Sequence, residues 1–235
     1  RSRGLGDVYK RQTLARSMKS LMEGNSVIRK MFELGQEMAE KYGKEQVYDF
    51  SLGNPVASVP YEVKNAIISL LENQDPHEIH GYMKNAGFPD VRKQVAEHLE
   101  KRFGLAYSAE NILMCNGAAG GLNILMRCLL DEEDEVLCFA PYFTEYKAYV
   151  SHYKAKLTVV PMRKDDFSLN LDMAEQMVKR RTKAVILNNP NNPSGIIYSE
   201  EDLRALAKIL KSAEERLGHP IYCLLYTSPS PRDRT

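Results

Sequence analysis

The sequence lacks the features that mark membrane-spanning and secreted proteins. In its 235 residues, no apolar run approaches the ~20 residues that are needed to cross a bilayer. No basic segment followed by an apolar one, as in a secretory signal, opens the chain. We therefore expect a soluble, cytoplasmic protein with no membrane partner.

An excess of charge of one sign is also missing. Lys and Arg together number 32 against 31 Asp and Glu, which gives a formal net charge of +1. Surfaces that bind nucleic acids are strongly basic, so we expect no nucleic-acid partner. Hydrophobic residues at 43% and charged residues at 27% are typical of a globular protein and exclude collagen-like, coiled-coil and disordered chains.

Side chains suited to disulfides or metals are sparse. The chain has four cysteines, which are Cys115, Cys128, Cys138 and Cys223. They form no C-x-x-C pair and are too few for a disulfide scaffold, so we expect buried, reduced thiols. His77 and His80 have a spacing that suits a metal, but no third ligand is nearby and Pro76 indicates a turn. We predict no metal site.

The two ends of the chain are related to each other at the level of DNA. Residues 7–12 (DVYKRQ) can be encoded by GATGTGTATAAGAGACAG, and the reverse complement, read out of frame, encodes residues 223–227 (CLLYT). Unrelated peptide ends do not mirror each other in this way. We predict that residues 1–12 and 223–235 are translated adapter sequence, and we exclude them from reasoning about the fold.

Short apolar segments alternate with amphipathic ones along the rest of the chain. Strands are predicted at 111–116, 135–140, 156–161 and 183–188, and an extended piece at 48–56. Helices are predicted at 25–43, 118–130, 143–151, 171–180 and 199–218, the last with Ser199 and Asp202 as a capping box and Gly218 as its stop. Residues 219–222 (HPIY) resemble the start of a further strand. This alternation predicts an α/β fold with a mostly parallel sheet that is covered by helices on both faces.

Ligands bind beyond the carboxyl ends of the strands in such a sheet, and three loops lie there. The first, 116–121 (NGAAGG), is suited to a phosphate at a helix N-terminus, but tight strand-to-helix packing explains it equally well. The second, 140–146 (APYFTEY), offers aromatic faces to a flat ligand, or simply core aromatics. The third, 188–195 (NNPNNPSG), forces a defined turn and carries more asparagines than a turn requires.

These three loops, in this order, resemble the pyridoxal-phosphate-dependent aminotransferases of class I/II, which have fold type I. The resemblance covers most of residues 25–222 and implies pyridoxal 5'-phosphate as the cofactor. It places Asn192 on the cofactor's phenolic oxygen and Phe143 against its pyridine ring. It also places Gly117, Ala118 and Ala119 around the phosphate, although the family usually supplies a polar side chain there.

The resemblance extends to two residues outside these loops. Tyr82, in YMKNAGFPDVR (82–92), matches the tyrosine that reaches the cofactor phosphate of the neighbouring subunit, so a homodimer is implied. Gly53, in SLGNP, matches the glycine whose backbone meets the substrate carboxylate. The implied domains are an N-terminal arm with part of the small domain at 13–60 and a partial large domain at 61–222.

The resemblance also implies that essential residues are missing. The family's Schiff-base lysine, its pyridinium-pairing aspartate and its substrate-clamping arginine have no counterpart here. We therefore expect the parent protein to move an amino group between an amino acid and a 2-oxo acid, and this chain to be inactive. A carbon–sulfur lyase or decarboxylase of the same fold, or an incomplete domain without catalysis, are the alternatives.

Overall fold

The computed structural model describes residues 27–48 and 58–227. The chain divides into two compact units, Arg1–Gly81 and Tyr82–Thr235. The described part of the first unit contains three α-helices, which are α1 (Val27–Tyr42), α2 (Tyr61–Asn73) and α3 (Pro76–His80). Helix α1 confirms the prediction at 25–43. Pro76 starts a helix whose cap is Asp75, and the turn predicted at this proline is therefore wrong.

The second unit alternates helices and strands. Its elements are α4 (Pro89–Phe103), α5 (Gly117–Leu129), β1 (Glu135–Ala140), α6 (Glu145–Ser151), β2 (Lys156–Pro161), α7 (Leu171–Met177), β3 (Thr182–Asn188), α8 (Glu200–Leu217) and β4 (Tyr222–Tyr226). The four strands form one parallel sheet in the order β2-β1-β3-β4. The predicted α/β class is confirmed, and β1 and β2 begin and end at the predicted residues.

Each face of the sheet carries its own hydrophobic core. Alternate residues of a strand point to opposite faces, so Leu137 and Phe139 of β1 pack with residues of α7 and α8, such as Leu206. Val136 and Cys138 pack instead with residues of α5 and α6, such as Met126 of α5. Because β1 and β3 are covered on both sides, their sequences are nearly continuous apolar runs.

The strand predicted at 111–116 is wrong. A 3-10 turn (Ala109–Asn111) is followed by irregular chain, and the amide of Met114 donates to the carbonyl of Ala86 at 3.0 Å. Within the described residues, this segment has no neighbouring strand with which to form a ladder. Its apolar residues Leu113 and Met114 are exposed. The apolar composition of this segment was therefore not sufficient to form a strand.

The expectation of buried thiols holds for one cysteine. Cys138, in β1, is buried, and burial raises the pKa of its thiol to about 12. Cys115, Cys128 and Cys223 are exposed, because they lie in a loop, on an outer helix position and on the edge strand β4. Strand β4 takes in residues 223–226, which belong to the segment that we predict to be adapter sequence.

Candidate active site

The connections of the sheet place a crevice at the carboxyl ends of β1 and β3. The chain leaves β1 into α6, which packs on one face of the sheet, and leaves the adjacent β3 into α8, which packs on the other face. Neighbouring parallel strands whose connections diverge in this way open a gap between their following loops. The N-terminus of α5 lies at the same edge, because α5 leads into the start of β1.

A cavity of about 310 Å³ occupies this edge. Its lining residues are Asn116, Gly117, Ala118, Ala119, Leu122, Phe143, Tyr146, Tyr149, Asn192 and Tyr226. All three predicted loops contribute to it, so the structure brings Gly117, Ala118, Ala119, Phe143 and Asn192 together. The alternative in which these loops serve unrelated local purposes does not explain why they share one cavity.

Helix α5 offers the cavity an uncapped N-terminus. The amides of the first turn have no acceptor within the helix, the Asn116 side chain makes no capping hydrogen bond, and the first turn holds no acidic residue. Gly117 has φ of 68°, which a residue with a Cβ rarely adopts. The partial positive charge of the helix dipole is therefore left for an anion to satisfy.

Aromatic rings form the wall beside this helix terminus. The Phe143 ring meets the Tyr146 ring edge-on, with 5.7 Å between their centroids. Tyr146 is buried, and burial, together with the nearby Tyr226, raises the pKa of its hydroxyl to about 12. The phenol is thus neutral at ordinary pH, while Phe143, 36% exposed, keeps part of its ring free.

The asparagines of residues 188–195 have divided roles. Asn188 accepts from the Asn192 amide at 2.6 Å and donates to the Tyr226 carbonyl at 3.2 Å. Asn189 accepts from the amide of Tyr198 at 3.0 Å. The buried Asn191 accepts from the hydroxyl of Ser194 at 2.7 Å and from its amide at 3.2 Å.

Asn192 is the exception among these asparagines. Within the described residues its side chain makes no hydrogen bond, and it lines the cavity. Its amide group is therefore available to a ligand oxygen, whereas the other three side chains hold the loop in shape.

Of the two remaining predicted site residues, Tyr82 is the one that the described residues include. Tyr82 is fully exposed and does not line the cavity of its own chain. Gly53 lies outside the described residues. Sequence reasoning missed Tyr149 as a lining residue and treated Tyr146 only as part of a loop, and it excluded Tyr226 as part of the predicted adapter segment. The spacing of Phe143, Tyr146 and Tyr149 on one helical face was a signal that could have identified the wall.

The part of the chain that the structure describes contains neither a candidate metal site nor a candidate membrane-spanning helix. Residues 27–48 and 58–227 hold no group of three or more His, Cys, Asp or Glu side chains arranged to bind a metal ion. In the same residues, no helix has both the length and the apolar character to cross a membrane.

The sequence model of the family described as aminotransferase class I and II matches residues 45–217. The chain belongs to this family. The enzymes of the class I and II aminotransferase family use pyridoxal 5'-phosphate.

Individual relatives agree with this membership. A probable aspartate/prephenate aminotransferase from Aquifex aeolicus is 34% identical over 69% of this chain and 40% of its own length. The putative aminotransferase YugH from Bacillus subtilis is 32% identical over 89% of this chain and 55% of its own length. The chain thus spans about half the length of the curated relatives that it matches.

Solved structures of family members show the same architecture. An amino transferase from Eubacterium rectale has a TM-score of 0.88 and 37% identity, covering 92% of this chain and 55% of that chain. The aspartate aminotransferase of Thermus thermophilus, solved with maleate, has a TM-score of 0.76 at 24% identity and shows the fold alone, over 53% of its chain. The three-layer fold predicted from the sequence is therefore confirmed as the aminotransferase fold, present in part.

Proposed function

We propose that the cavity is the cofactor site of an aminotransferase and holds pyridoxal 5'-phosphate. The observation that carries this proposal is the convergence of Gly117, Phe143 and Asn192 on one cavity at the switch point of the sheet. The residues present fit the group, since an uncapped helix terminus, an aromatic face and an unused amide suit its phosphate, ring and phenolic oxygen respectively.

The phosphate would be held by main-chain groups. Gly117, Ala118 and Ala119 begin α5, and the first-turn amides with the helix dipole favour a doubly charged anion. Their small side chains leave the anion room to approach. No hydroxyl side chain is available from Ala118 or Ala119, so this grip depends on the backbone.

The ring would lie against Phe143, with Asn192 donating a hydrogen bond to the phenolic oxygen. The loop fixes the backbone of Asn192 through the 2.6 Å bond from its amide to Asn188, which places the residue at the cavity before any ligand arrives. When bound, pyridoxal phosphate supplies an electron sink for the chemistry of amino acids.

For the whole protein, we propose transfer of an amino group between an amino acid and a 2-oxo acid. The names of the relatives, which include aspartate and aspartate/prephenate aminotransferases, support this reaction class. A homodimer is part of the proposal, because Tyr82 is exposed and resembles the residue that reaches a neighbouring subunit's phosphate.

The 235-residue chain itself is proposed to be inactive. Among the described residues that line the cavity there is no lysine, aspartate or arginine, whereas the reaction needs a lysine that binds the cofactor covalently. Treating the chain with pyridoxal phosphate and borohydride should therefore attach no cofactor to a specific lysine. Stoichiometric labelling of one lysine would overturn this part of the proposal.

Paired substitutions at Ala119 test the cofactor site itself. Ala119→Asp should weaken binding of pyridoxal phosphate by roughly a hundredfold or more, because like charges about 4 Å apart repel by roughly 4 kcal/mol at an effective dielectric of about 20. The same aspartate should leave the folded state as stable or slightly more so, because a carboxylate suits the first turn of a helix. Fluorescence or absorbance titration and urea unfolding measure the two effects.

Ala119→Asn is the matched control, since it adds the same bulk without the charge. It should weaken binding much less than Ala119→Asp does. Equal losses of binding in the two variants would show that bulk alone matters and would contradict an anion at this helix terminus. A chain that binds pyridoxal phosphate no better than pyridoxal would contradict it as well.

A further inference from the structure

The guanidinium of Arg92 is largely buried in the second unit and is used by the backbone. The residue is 9% exposed and lies in the first turn of α4. Its Nε donates to the carbonyl of Ile112 at 2.8 Å, and its Nη2 donates to the carbonyl of Ala109 at 2.5 Å. A carboxylate of the exposed Glu110 lies 3.9 Å from the same nitrogen.

The segment that Arg92 holds leads directly into the candidate phosphate site. It comprises the 3-10 turn of Ala109–Asn111 and the irregular chain after it, which ends where α5 begins at Gly117. Within the described residues this segment has no strand beside it, so sheet hydrogen bonds do not fix its position. Arg92 instead supplies donors to two carbonyls of the segment at once.

A second contact fixes the same segment from the same side. The turn just before α4 accepts a hydrogen bond at Ala86 from the amide of Met114, at 3.0 Å. Gly87 has φ of 100°, and a Cβ added there would lie only 2.5 Å from Cγ of Met114. Arg92 and this turn therefore clamp residues 109–114 at three backbone positions.

We propose that Arg92 is a positioning residue for the phosphate-binding amides of Ala118 and Ala119, since the amide of Gly117 already donates to the carbonyl of Cys115 at 3.0 Å. The inference rests on the proposed function. Arg92 does not line the cavity, and its donors are turned toward carbonyls, so it does not act as a phosphate ligand. Its effect is to hold the entry to α5 in the place from which the first-turn amides meet the anion.

The fork of the guanidinium matters more than its charge. Arg places separate N–H donors in a rigid plane, whereas Lys concentrates its donors on one nitrogen. Arg92→Lys thus keeps the charge but cannot serve the carbonyls of Ala109 and Ile112 in the same geometry. Arg92→Gln removes the charge and most of the donors.

Binding of pyridoxal phosphate and of pyridoxal, which lacks the phosphate, separates positioning from general stability. Arg92→Gln should weaken pyridoxal phosphate binding by about tenfold or more, in line with the loss of charge-assisted hydrogen bonds, and should leave pyridoxal binding nearly unchanged. Arg92→Lys should show the same selective loss to a smaller extent. The control is Lys93→Gln, which removes a neighbouring exposed charge that pairs with Glu97.

Hydrogen exchange supplies a readout that needs no cofactor. Within residues 112–119, the hydrogen-bonded amides of Ile112, Met114 and Gly117 should exchange faster in Arg92→Gln and Arg92→Lys than in the parent chain, while those of β1 and β3 keep their protection. If the parent chain binds neither pyridoxal phosphate nor pyridoxal, the proposed function is wrong. Hydrogen exchange would still test whether Arg92 positions this segment.

Three results would overturn the inference. The first is an equal loss of pyridoxal phosphate and pyridoxal binding in both variants. The second is unchanged exchange at residues 112–119, and the third is an Arg92→Lys variant that matches the parent chain in every readout.

Discussion

At the scale of single residues, the asparagines of the loop after β3 show how one residue type serves two purposes. Asn191 is buried and receives two hydrogen bonds from Ser194. Asn192 is exposed to the cavity and its side chain has no partner within the described residues. The sequence indicated that a turn does not need so many asparagines, but only the hydrogen bonds of the folded loop separate the asparagines that hold its shape from the one that faces the cavity.

This division predicts opposite outcomes for one substitution at adjacent positions. Asn191→Ala should lower the free energy of unfolding by about 1–3 kcal/mol, because it removes the two hydrogen bonds that Ser194 donates to the buried Asn191. Asn192→Ala should leave unfolding in urea nearly unchanged and weaken the binding of pyridoxal phosphate. If Asn192→Ala destabilised the chain as much as Asn191→Ala, the division of roles described here would be wrong.

At the scale of elements, burial on both faces decided what the sequence could predict. Strands β1 and β2 were predicted to the residue, and β3 begins one position early, at Thr182. Helices α2 and α4 were not predicted; α2 has no buried residue, and few positions of α4 are buried. An apolar stripe is the main signal of a helix in sequence, and a helix that buries little gives little of it.

Helix α8 is an element whose first and last residues can be predicted from the sequence. Ser199 accepts a hydrogen bond from the amide of Asp202 at 3.0 Å, and Gly218 ends the helix with φ of 74°. Both residues were predicted in these positions. The hydrogen bond of the N-cap and the positive φ of the terminal glycine involve only neighbouring residues. The ends of this helix therefore do not depend on distant contacts.

The cap of α8 should therefore be measurable on its own. Ser199→Ala should lower the free energy of unfolding by about 1 kcal/mol, because it leaves a first-turn amide without its acceptor. Ser212→Ala, the same change at an exposed position inside this helix, should be neutral or slightly stabilising because alanine favours helix interiors. Equal effects in urea unfolding would show that the cap contributes nothing.

At the scale of the whole molecule, the two-sided core places ionisable groups where water cannot reach them. Burial raises the pKa of Cys138, Tyr146 and Tyr198 to about 12 each, from ordinary values of 9.0, 10.0 and 10.0. These residues lie on both faces of the sheet. The sequence showed that a sheet with covered faces would form, but it could not show which thiol or phenol would be enclosed.

Stability should consequently decline in alkali before the buried groups ionise in the folded state. Below pH about 9 these groups are neutral both folded and unfolded, and their contribution is fully present. As pH rises toward 12, the unfolded chain releases protons that the folded chain retains, so the free energy of unfolding should fall. Urea unfolding at pH 8, 9, 10 and 11 measures this slope.

A matched variant measures how much Tyr146 contributes to the alkaline decline of the free energy of unfolding. Tyr146→Phe keeps the ring that packs against Phe143 and removes the ionisable hydroxyl, so its free energy of unfolding should fall less steeply above pH 10. A slope identical to that of the parent chain would show that Tyr146 does not contribute to the alkaline loss.

The uncapped start of α5 has a consequence for how this region can change over generations. Donors that belong to the main chain are present whichever amino acid the codon specifies, with proline as the sole exception. For the phosphate site that we propose, codons 118 and 119 are thereby free to change among small residues without loss of main-chain donors, and selection should remove only mutations to proline, to an acid or to a bulky side chain.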